Sequence, residues 1–173
     1  KSCGVLLFLT FGERSLNSYK KFYKAGARGA LFRFETSNQE LYKMYHSGSK
    51  SNFKNRIKLL KYMNKLGYII ATGSLIGLPN QTKEDLMNDI LLTKSLNVDM
   101  YSFGPLIPHQ ETPLANTKST DINTVLKIIA ISRLTNPNAK ILITTAIETL
   151  DREKGRKQGL LSGANSLMIN VTP

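Results

Sequence analysis

The sequence predicts an α/β fold, a partial barrel of about six parallel strands, and two observations carry that reading. Short apolar runs alternate with amphipathic helical patterns along the whole chain, which requires parallel pairing through right-handed crossovers. Three of the strands also run straight into polar loops, at Arg33-Phe34-Glu35-Thr36-Ser37-Asn38, at Gly73 to Thr82 and at Gly104 to Asn116. Strand C-termini are where barrel enzymes keep their chemistry.

Gly4 to Phe11 is a continuous apolar run closed by Gly12, the pattern of a strand buried on both faces. Ser15 to Ala25 follows as a helix, with Leu16, Tyr19, Phe22 and Tyr23 at helical spacing and a stop at Gly26. Ala30 to Phe34 is the second strand, and Asn52 to Leu66 a helix whose Phe53, Ile57, Leu60 and Met63 share a face. Tyr68 to Ile76 is the third strand. Thr82 then caps a helix, with Asp85 three residues on in an approximate capping box. Met100 to Ile107 is the fourth strand, and Asp121 to Leu134 a helix with Val125, Ile128, Ile129 and Ser132 in register. Ile141 to Thr145 and Ser166 to Val171 complete the strands, joined by a Lys/Arg-rich helix from about Arg152 to Leu161. Six strands alternating with five helices do not close an eight-stranded TIM-type barrel. The expectation is one domain over residues 1–173, a piece of a larger barrel.

At 173 residues and 41% hydrophobic content the chain can bury one substantial core. No apolar run approaches the ~18 residues that span a bilayer, and no apolar h-region lies near the start, so the expectation is a soluble, cytoplasmic protein without a membrane partner. Cys3 is the only cysteine, which excludes a disulfide within the chain, suits a reducing compartment and rules out a zinc or iron-sulfur site built from this chain alone. The net charge of +12 is uneven: residues 1–66 hold 14 Lys/Arg against 3 Asp/Glu, and residues 67–173 hold 10 against 9. A basic half raises the question of a nucleic-acid partner. Lys20, Lys21, Lys24, Lys54, Lys58, Lys61 and Lys65 fall on the polar sides of helical patterns, without interleaved exposed aromatics, so solvated helix faces are the better reading.

Strand alternation puts Leu31, Arg33 and Glu35 on one face and Phe32 and Phe34 on the other. With the phenylalanines under the helices, Arg33 and Glu35 point to the interior, where they must pair with each other or with a ligand. Arg56, in the first turn of the following helix, lies within reach of Glu35 across the mouth. A carboxylate and a guanidinium facing one cavity suit an amino-acid zwitterion. Gly73 and Gly77 mark either tight packing or a place where a flat ligand such as adenine lies. Thr144 and Thr145 are adjacent, so alternation lets one of them face inward. His46 and His109 read as surface imidazoles. Met168 and Asn170 share a face of the last strand.

Taken together, these segments resemble the radical S-adenosylmethionine enzymes of the biotin synthase-like group, and within it the HydE type of FeFe-hydrogenase maturase. The likeness rests on Leu9-Thr10-Phe11-Gly12-Glu13, Arg33 to Asn38, Lys54-Asn55-Arg56, Gly73 to Thr82, Gly104 to Asn116, Thr144-Thr145-Ala146 and Gly163 to Pro173. The Pro-His-Gln-Glu-Thr-Pro-Leu-Ala loop and the Arg-x-Glu-Thr strand are its most specific parts. The resemblance implies a radical S-adenosylmethionine barrel in which Glu35 takes the methionine ammonium, Arg56 its carboxylate, and Ile76, near Gly73, touches adenine. Thr10, Arg33, Thr144, Thr145 and Met168 would border the substrate cavity. The implied reaction uses a 4Fe-4S cluster to cleave S-adenosylmethionine, and the resulting 5'-deoxyadenosyl radical acts on a cysteine-bound iron complex carrying carbon monoxide and cyanide. Other hydrogenase maturases are implied partners. The family's Cys-x-x-x-Cys-x-x-Cys loop has no counterpart here, so no metal ligand is expected in this chain, the six strands would be the family's third to eighth, and the chain alone would be inactive. A methylornithine synthase-like or biotin synthase-like enzyme remains an alternative, as does a non-radical barrel using Gly163-Ala164-Asn165 as a phosphate loop.

Overall fold

Parallel pairing runs through every strand. The computed structural model describes residues 4–46 and 52–169. Its elements are β1 (Phe8–Leu9), α1 (Leu16–Lys24), β2 (Gly29–Leu31), α2 (Gln39–Tyr45), α3 (Phe53–Lys65), β3 (Ile69–Thr72), β4 (Leu75–Ile76), α4 (Lys83–Ser95), β5 (Met100–Tyr101), β6 (Gly104–Pro105), α5 (Ile122–Thr135), β7 (Lys140–Ile143), α6 (Ala146–Leu150), α7 (Gly155–Leu161) and β8 (Ser166–Leu167). The main sheet has the order β1-β2-β3-β5-β7-β8, and β4 pairs with β6 beyond it. Every pair is parallel. Strand order following chain order is what right-handed crossovers produce, and it curls the sheet into part of a (β/α) barrel.

The expected third and fourth strands are each broken in two. β3 and β4 are separated by Gly73-Ser74, and β5 and β6 by Ser102-Phe103, although Ser102 N–H to Thr72 O (2.8 Å), Gly104 N–H to Ser74 O (3.2 Å) and Leu106 N–H to Ile76 O (2.8 Å) carry the pairing across. At the break the chains press together: a Cβ on Gly73 would stand 2.4 Å from Ser102 O. Close backbone approach is therefore the reason for Gly73. The α2 and α6 helices went unpredicted because their five to seven residues are too short for a period to register.

The first strand differs most from expectation. Val5 (81% exposed), Leu6 and Leu7 lie open, and only Phe8–Leu9 pair. The apolar run suits burial on both faces, but β1 is the sheet's edge, and among the described residues only β2 covers it. β8 is the other edge, and Asn170 and Val171 lie outside the described residues.

Two apolar clusters fill the space between sheet and helices. One joins Tyr101, Phe103, Ile141 and Ile143 to Ile90, Val125 and Ile129. The other joins Phe32, Phe34 and Ile70 to Tyr19, Leu59, Leu60 and Met63, and Val98 packs against both. No helix among the described residues is long and apolar enough to cross a membrane.

Gly73→Ala should cost about 1–3 kcal/mol, the usual range for forcing atoms into a filled interior. Urea unfolding of the full chain measures it.

Candidate functional site

The sheet's C-terminal ends converge on a cavity of about 300 Å³. Thr10 follows β1, Arg33 and Glu35 follow β2, Ser102 follows β5, Thr144 and Thr145 follow β7, and Met168 follows β8; all line it, with Arg56 reaching in from the first turn of α3. Parallel strands deliver all these side chains to one end of the sheet, which is why residues 158 positions apart share a wall.

Glu35 is placed by an unusual turn. The N–H groups of Phe34 and Glu35 both donate to Gly73 O, at 3.0 and 3.2 Å, and Thr36 N–H then turns back onto Phe34 O at 3.0 Å. That i to i+2 bond, with Glu35 at φ +70°, makes a γ-turn of the rare positive-φ kind. An L-residue in the left-handed region costs roughly 1–2 kcal/mol, and such strain concentrates at working sites. As alternation foresaw, Phe32 and Phe34 are buried in the core.

Glu35 Oε2 lies 3.5 Å from Arg33 Nε in an ion pair that is not a hydrogen bond, and this buried oxygen has no hydrogen-bond partner among the described residues. A buried acceptor left so costs about 1–3 kcal/mol until something donates to it. Arg56 is held differently. Its Nε donates to Glu13 Oε1 at 3.2 Å, its Nη1 to Arg33 O at 2.7 Å, and its guanidinium lies over the Phe32 and Tyr42 rings. Its acidic partner is thus Glu13 and not Glu35, though Arg56 and Glu35 line the same cavity. Glu13 also accepts from Asn55 Nδ2 (3.0 Å), and its loop is pinned by Tyr19, whose hydroxyl donates to Gly12 O (2.8 Å). Burial pushes the Tyr19 phenol above its usual range.

The opposite wall is polar. Ser102 Oγ and Thr144 Oγ1 are buried without hydrogen-bond partners, and Gly104 makes room there, since a Cβ on it would stand 2.9 Å from Arg33 Nη1 and 3.2 Å from Thr144 Oγ1. Ser102 was not singled out in the sequence, although a serine alternating with Tyr101 and Phe103 was the available signal. Thr144 and Thr145 both line the cavity, contrary to alternation, because β7 ends at Ile143 and Thr145 already has the helical backbone of an N-cap.

Two other candidates lie elsewhere. Ile76 is fully buried in the core and Gly73 is packed against β5, so neither lines this cavity. A second chamber of about 510 Å³ shares Glu35 and has Leu75, Leu78, Leu106, Tyr45, His46 and His109 in its wall. His109 is exposed, whereas His46 stacks on Tyr42 at 4.1 Å, and burial lowers its pKa. The Gly163-Ala164-Asn165 turn sits at the other end of the sheet, where Asn165 Oδ1 accepts from Ile141 N–H (2.8 Å) and Gly163 O from Arg133 Nε (2.9 Å). Its polar groups are spent on structure.

The Gly-Leu-Pro-Asn-Gln-Thr run explains itself in three dimensions. Gln81 Oε1 accepts from Gly77 N–H (2.8 Å) and its Nε2 donates to Leu75 O (2.9 Å), while Thr82 and Asp85 form a full capping box on α4. That helix presents two carboxylates to the loop after Glu35. Asn38 Nδ2 donates to Asp85 Oδ1 (2.9 Å), and Ser37 N–H to Asp89 Oδ1 (2.6 Å). For Asp85, burial raises the pKa, but hydrogen bonds from Thr82 and Asn38 outweigh it and hold the group below its ordinary value. For fully buried Asp89, burial prevails over the hydrogen bond from Ser37 and holds it above.

Comparison with known proteins gives this architecture a family. A model of the biotin and thiamin synthesis associated domain matches residues 102–172. The FeFe hydrogenase maturase subunit HydE of Thermotoga maritima is 40% identical over 173 residues, covering all of this chain and 49% of that protein. The 3-methylornithine synthase of Methanosarcina acetivorans is 34% identical over 153 residues, covering 87% of this chain and 42% of that protein. The crystal structure of methylornithine synthase (PylB) superposes with a TM-score of 0.83 at 24% identity, over 95% of this chain and 47% of that one, which speaks for the fold. In sequence and in fold the chain is similar to the biotin synthase-like group of proteins. Within that group it is similar to HydE, and it spans about half the length of the curated relatives it matches.

Two outcomes follow from the site's strain and charge. Glu35→Gly should leave the chain about 1 kcal/mol more stable than Glu35→Ala, because glycine alone relieves the positive φ; paired denaturation curves decide this. Asp89 is raised above its ordinary 3.8, so the folded state is favoured below that value and loses stability as pH climbs through the raised one. Asp85, the charged neighbour on the same helix, acts in the opposite sense, losing its contribution as pH falls. The stability of Asp89→Asn relative to wild type should therefore rise between about pH 3 and 7, measured by urea unfolding at each pH.

Proposed function

We propose that this chain is the substrate-facing part of a radical S-adenosylmethionine enzyme of the HydE type, acting in FeFe-hydrogenase maturation. In this reading the chain is one domain, the third to eighth strands of the family barrel. The observation that carries it is that an unsatisfied, buried Glu35 Oε2 and the Arg56 guanidinium, which do not pair with each other, line one cavity.

These residues fit the amino-acid end of S-adenosylmethionine. An ammonium would supply the donor that Glu35 Oε2 lacks. Arg56 spends Nε and one Nη1 donor on Glu13 and Arg33 O, so its Nη2 donors are left for a carboxylate. The second chamber, which also borders Glu35, is the room for the adenosyl part. There Leu75 and Leu78 stand in the wall, in place of the buried Ile76 side chain. Reductive cleavage of bound S-adenosylmethionine would supply a 5'-deoxyadenosyl radical. A 4Fe-4S cluster does not fit this chain: it has one cysteine, and no group of three or more His, Cys, Asp or Glu among its described residues could hold a metal. No step through the cluster is assigned to these residues, and the chain by itself would not cleave S-adenosylmethionine.

The polar wall opposite suits an anionic substrate such as a cysteine-bound iron complex. Arg33 provides the cation, and Thr144 and Ser102 provide hydroxyls with no other partner. Thr10, Thr145 and Met168 complete the enclosure, which orients the substrate and keeps bulk water away from the radical. The partners proposed are that complex and the other hydrogenase maturases.

Calorimetric titration of the full-length protein with S-adenosylmethionine tests the clamp. Glu35→Gln and Arg56→Ala should each weaken binding roughly 10-fold to 100-fold, the equivalent of a charge-assisted hydrogen bond. Unchanged affinity in both variants would overturn the assignment.

A further inference from the structure

We propose that Asp89 is a positioning residue for Glu35: its buried carboxylate holds the chain that leaves the strained turn and thereby sets the affinity of the cavity for a ligand bearing an ammonium group. The inference rests on the proposed role of Glu35.

Asp89 sits on α4 with no exposure to solvent, and it neither touches the cavity nor pairs with a cation in the salt bridges of the described residues. Its Oδ1 accepts Ser37 N–H at 2.6 Å, two residues past Glu35. The Ser74 side chain approaches the same carboxylate from the facing segment. Ser74 is the residue bridged to Glu35 and follows Gly73, whose carbonyl takes the two N–H groups that force the γ-turn. The carboxylate therefore fastens the segment that leaves the turn and stands against the segment that forces it. Four residues earlier, Asp85 fastens Asn38 and, through the capping box, the start of α4, so the helix is tied to the loop at two successive turns.

A buried, unpaired charge is an expensive way to hold a backbone N–H. A neighbouring carboxylate, Asp85, adds to the expense, and burial outweighs the hydrogen bonds that favour ionisation. A neutral asparagine of the same shape would avoid that cost, but it offers a weaker acceptor to Ser37 N–H. The buried carboxyl of Asp89 thus costs the fold something and returns it as geometry at Glu35, the pattern of strain maintained at a working site. In contrast, Thr93, one turn further along α4, is equally buried and donates to Asp89 O at 2.7 Å without reaching the turn.

The test compares wild type, Asp89→Asn, Thr93→Val and Glu35→Gln in the full-length protein. Asp89→Asn should weaken S-adenosylmethionine binding roughly 10-fold to 100-fold, as expected for a charge-assisted hydrogen bond, while the cleavage rate at saturating S-adenosylmethionine changes much less. Thr93→Val, which perturbs only the helix, should bind like wild type. Without ligand, hydrogen exchange at the Thr36 to Asn38 amides should quicken in Asp89→Asn and not in Thr93→Val. If Glu35→Gln loses affinity but Asp89→Asn does not, the Asp89 proposal is wrong and the ligand assignment stands. If Glu35→Gln binds as well as wild type, the ligand assignment fails, and exchange alone then decides Asp89: equal rates in both helix variants overturn it. Should Asp89→Asn not fold, Ser37→Pro removes the amide at the other end of the same bond, and a loss of roughly 10-fold to 100-fold in affinity is expected in its place; no loss there overturns the proposal.

Discussion

Two amide groups converge on one carbonyl, and most of the site follows from that. Phe34 and Glu35 both donate to Gly73 O, which leaves no extended backbone for Glu35 and sends it to φ +70°. The turn ends the strand, aims the carboxylate at the mouth of the barrel and puts Thr36 to Asn38 within reach of α4. Gly73 makes it possible from the other side, because its missing side chain lets the β3–β4 segment lie against Ser102 O. A single close approach between neighbouring strands thus sets both the packing of the sheet and the position of its most strained side chain.

The charges around the cavity are arranged by backbone as much as by one another. Arg56 is fixed by a main-chain carbonyl, by Glu13 and by two aromatic faces, and Glu35 meets only a loose pairing with Arg33. The asymmetry matters. A guanidinium held on three sides keeps its remaining donors in place at little entropic cost, while a carboxylate with an unsatisfied oxygen is ready for a partner. On the far wall, Ser102 and Thr144 extend the same condition to neutral groups, buried and without donors or acceptors among the described residues. Unsatisfied buried polar atoms are rare in folded proteins, and here three of them gather around one cavity.

Much of this was legible in the residues. Periodicity predicted the α/β class and the parallel order, and the alternation of Leu31, Arg33 and Glu35 against Phe32 and Phe34 predicted which charges turn inward. The Thr82–Asp85 cap was equally plain. The errors have physical causes. Alternation admitted one threonine of the Thr144-Thr145 pair, but the strand ends between turn and helix, so both reach the wall. The apolar run before Thr10 was taken for a buried strand, yet hydrophobicity cannot tell an interior strand from an edge. Ile76, which the resemblance implies as an adenine contact, has its side chain in the core, a placement that strand spacing did not foretell.

What the sequence determined by itself is local: which segments are helix or strand, which faces are apolar, where the caps fall, and which residue types are on hand for an amino-acid ligand. Those properties depend on neighbours one to four positions away, and the chain carries them wherever it goes. Only the tertiary structure decided that Arg56 answers to Glu13, that Ser102 joins the polar wall, and that Asp89 accepts the Ser37 amide across 52 positions of sequence. Such pairings arise because parallel strands bring their C-terminal ends to one rim, and a carboxylate finds its partner there by distance in space, which no spacing along the chain records.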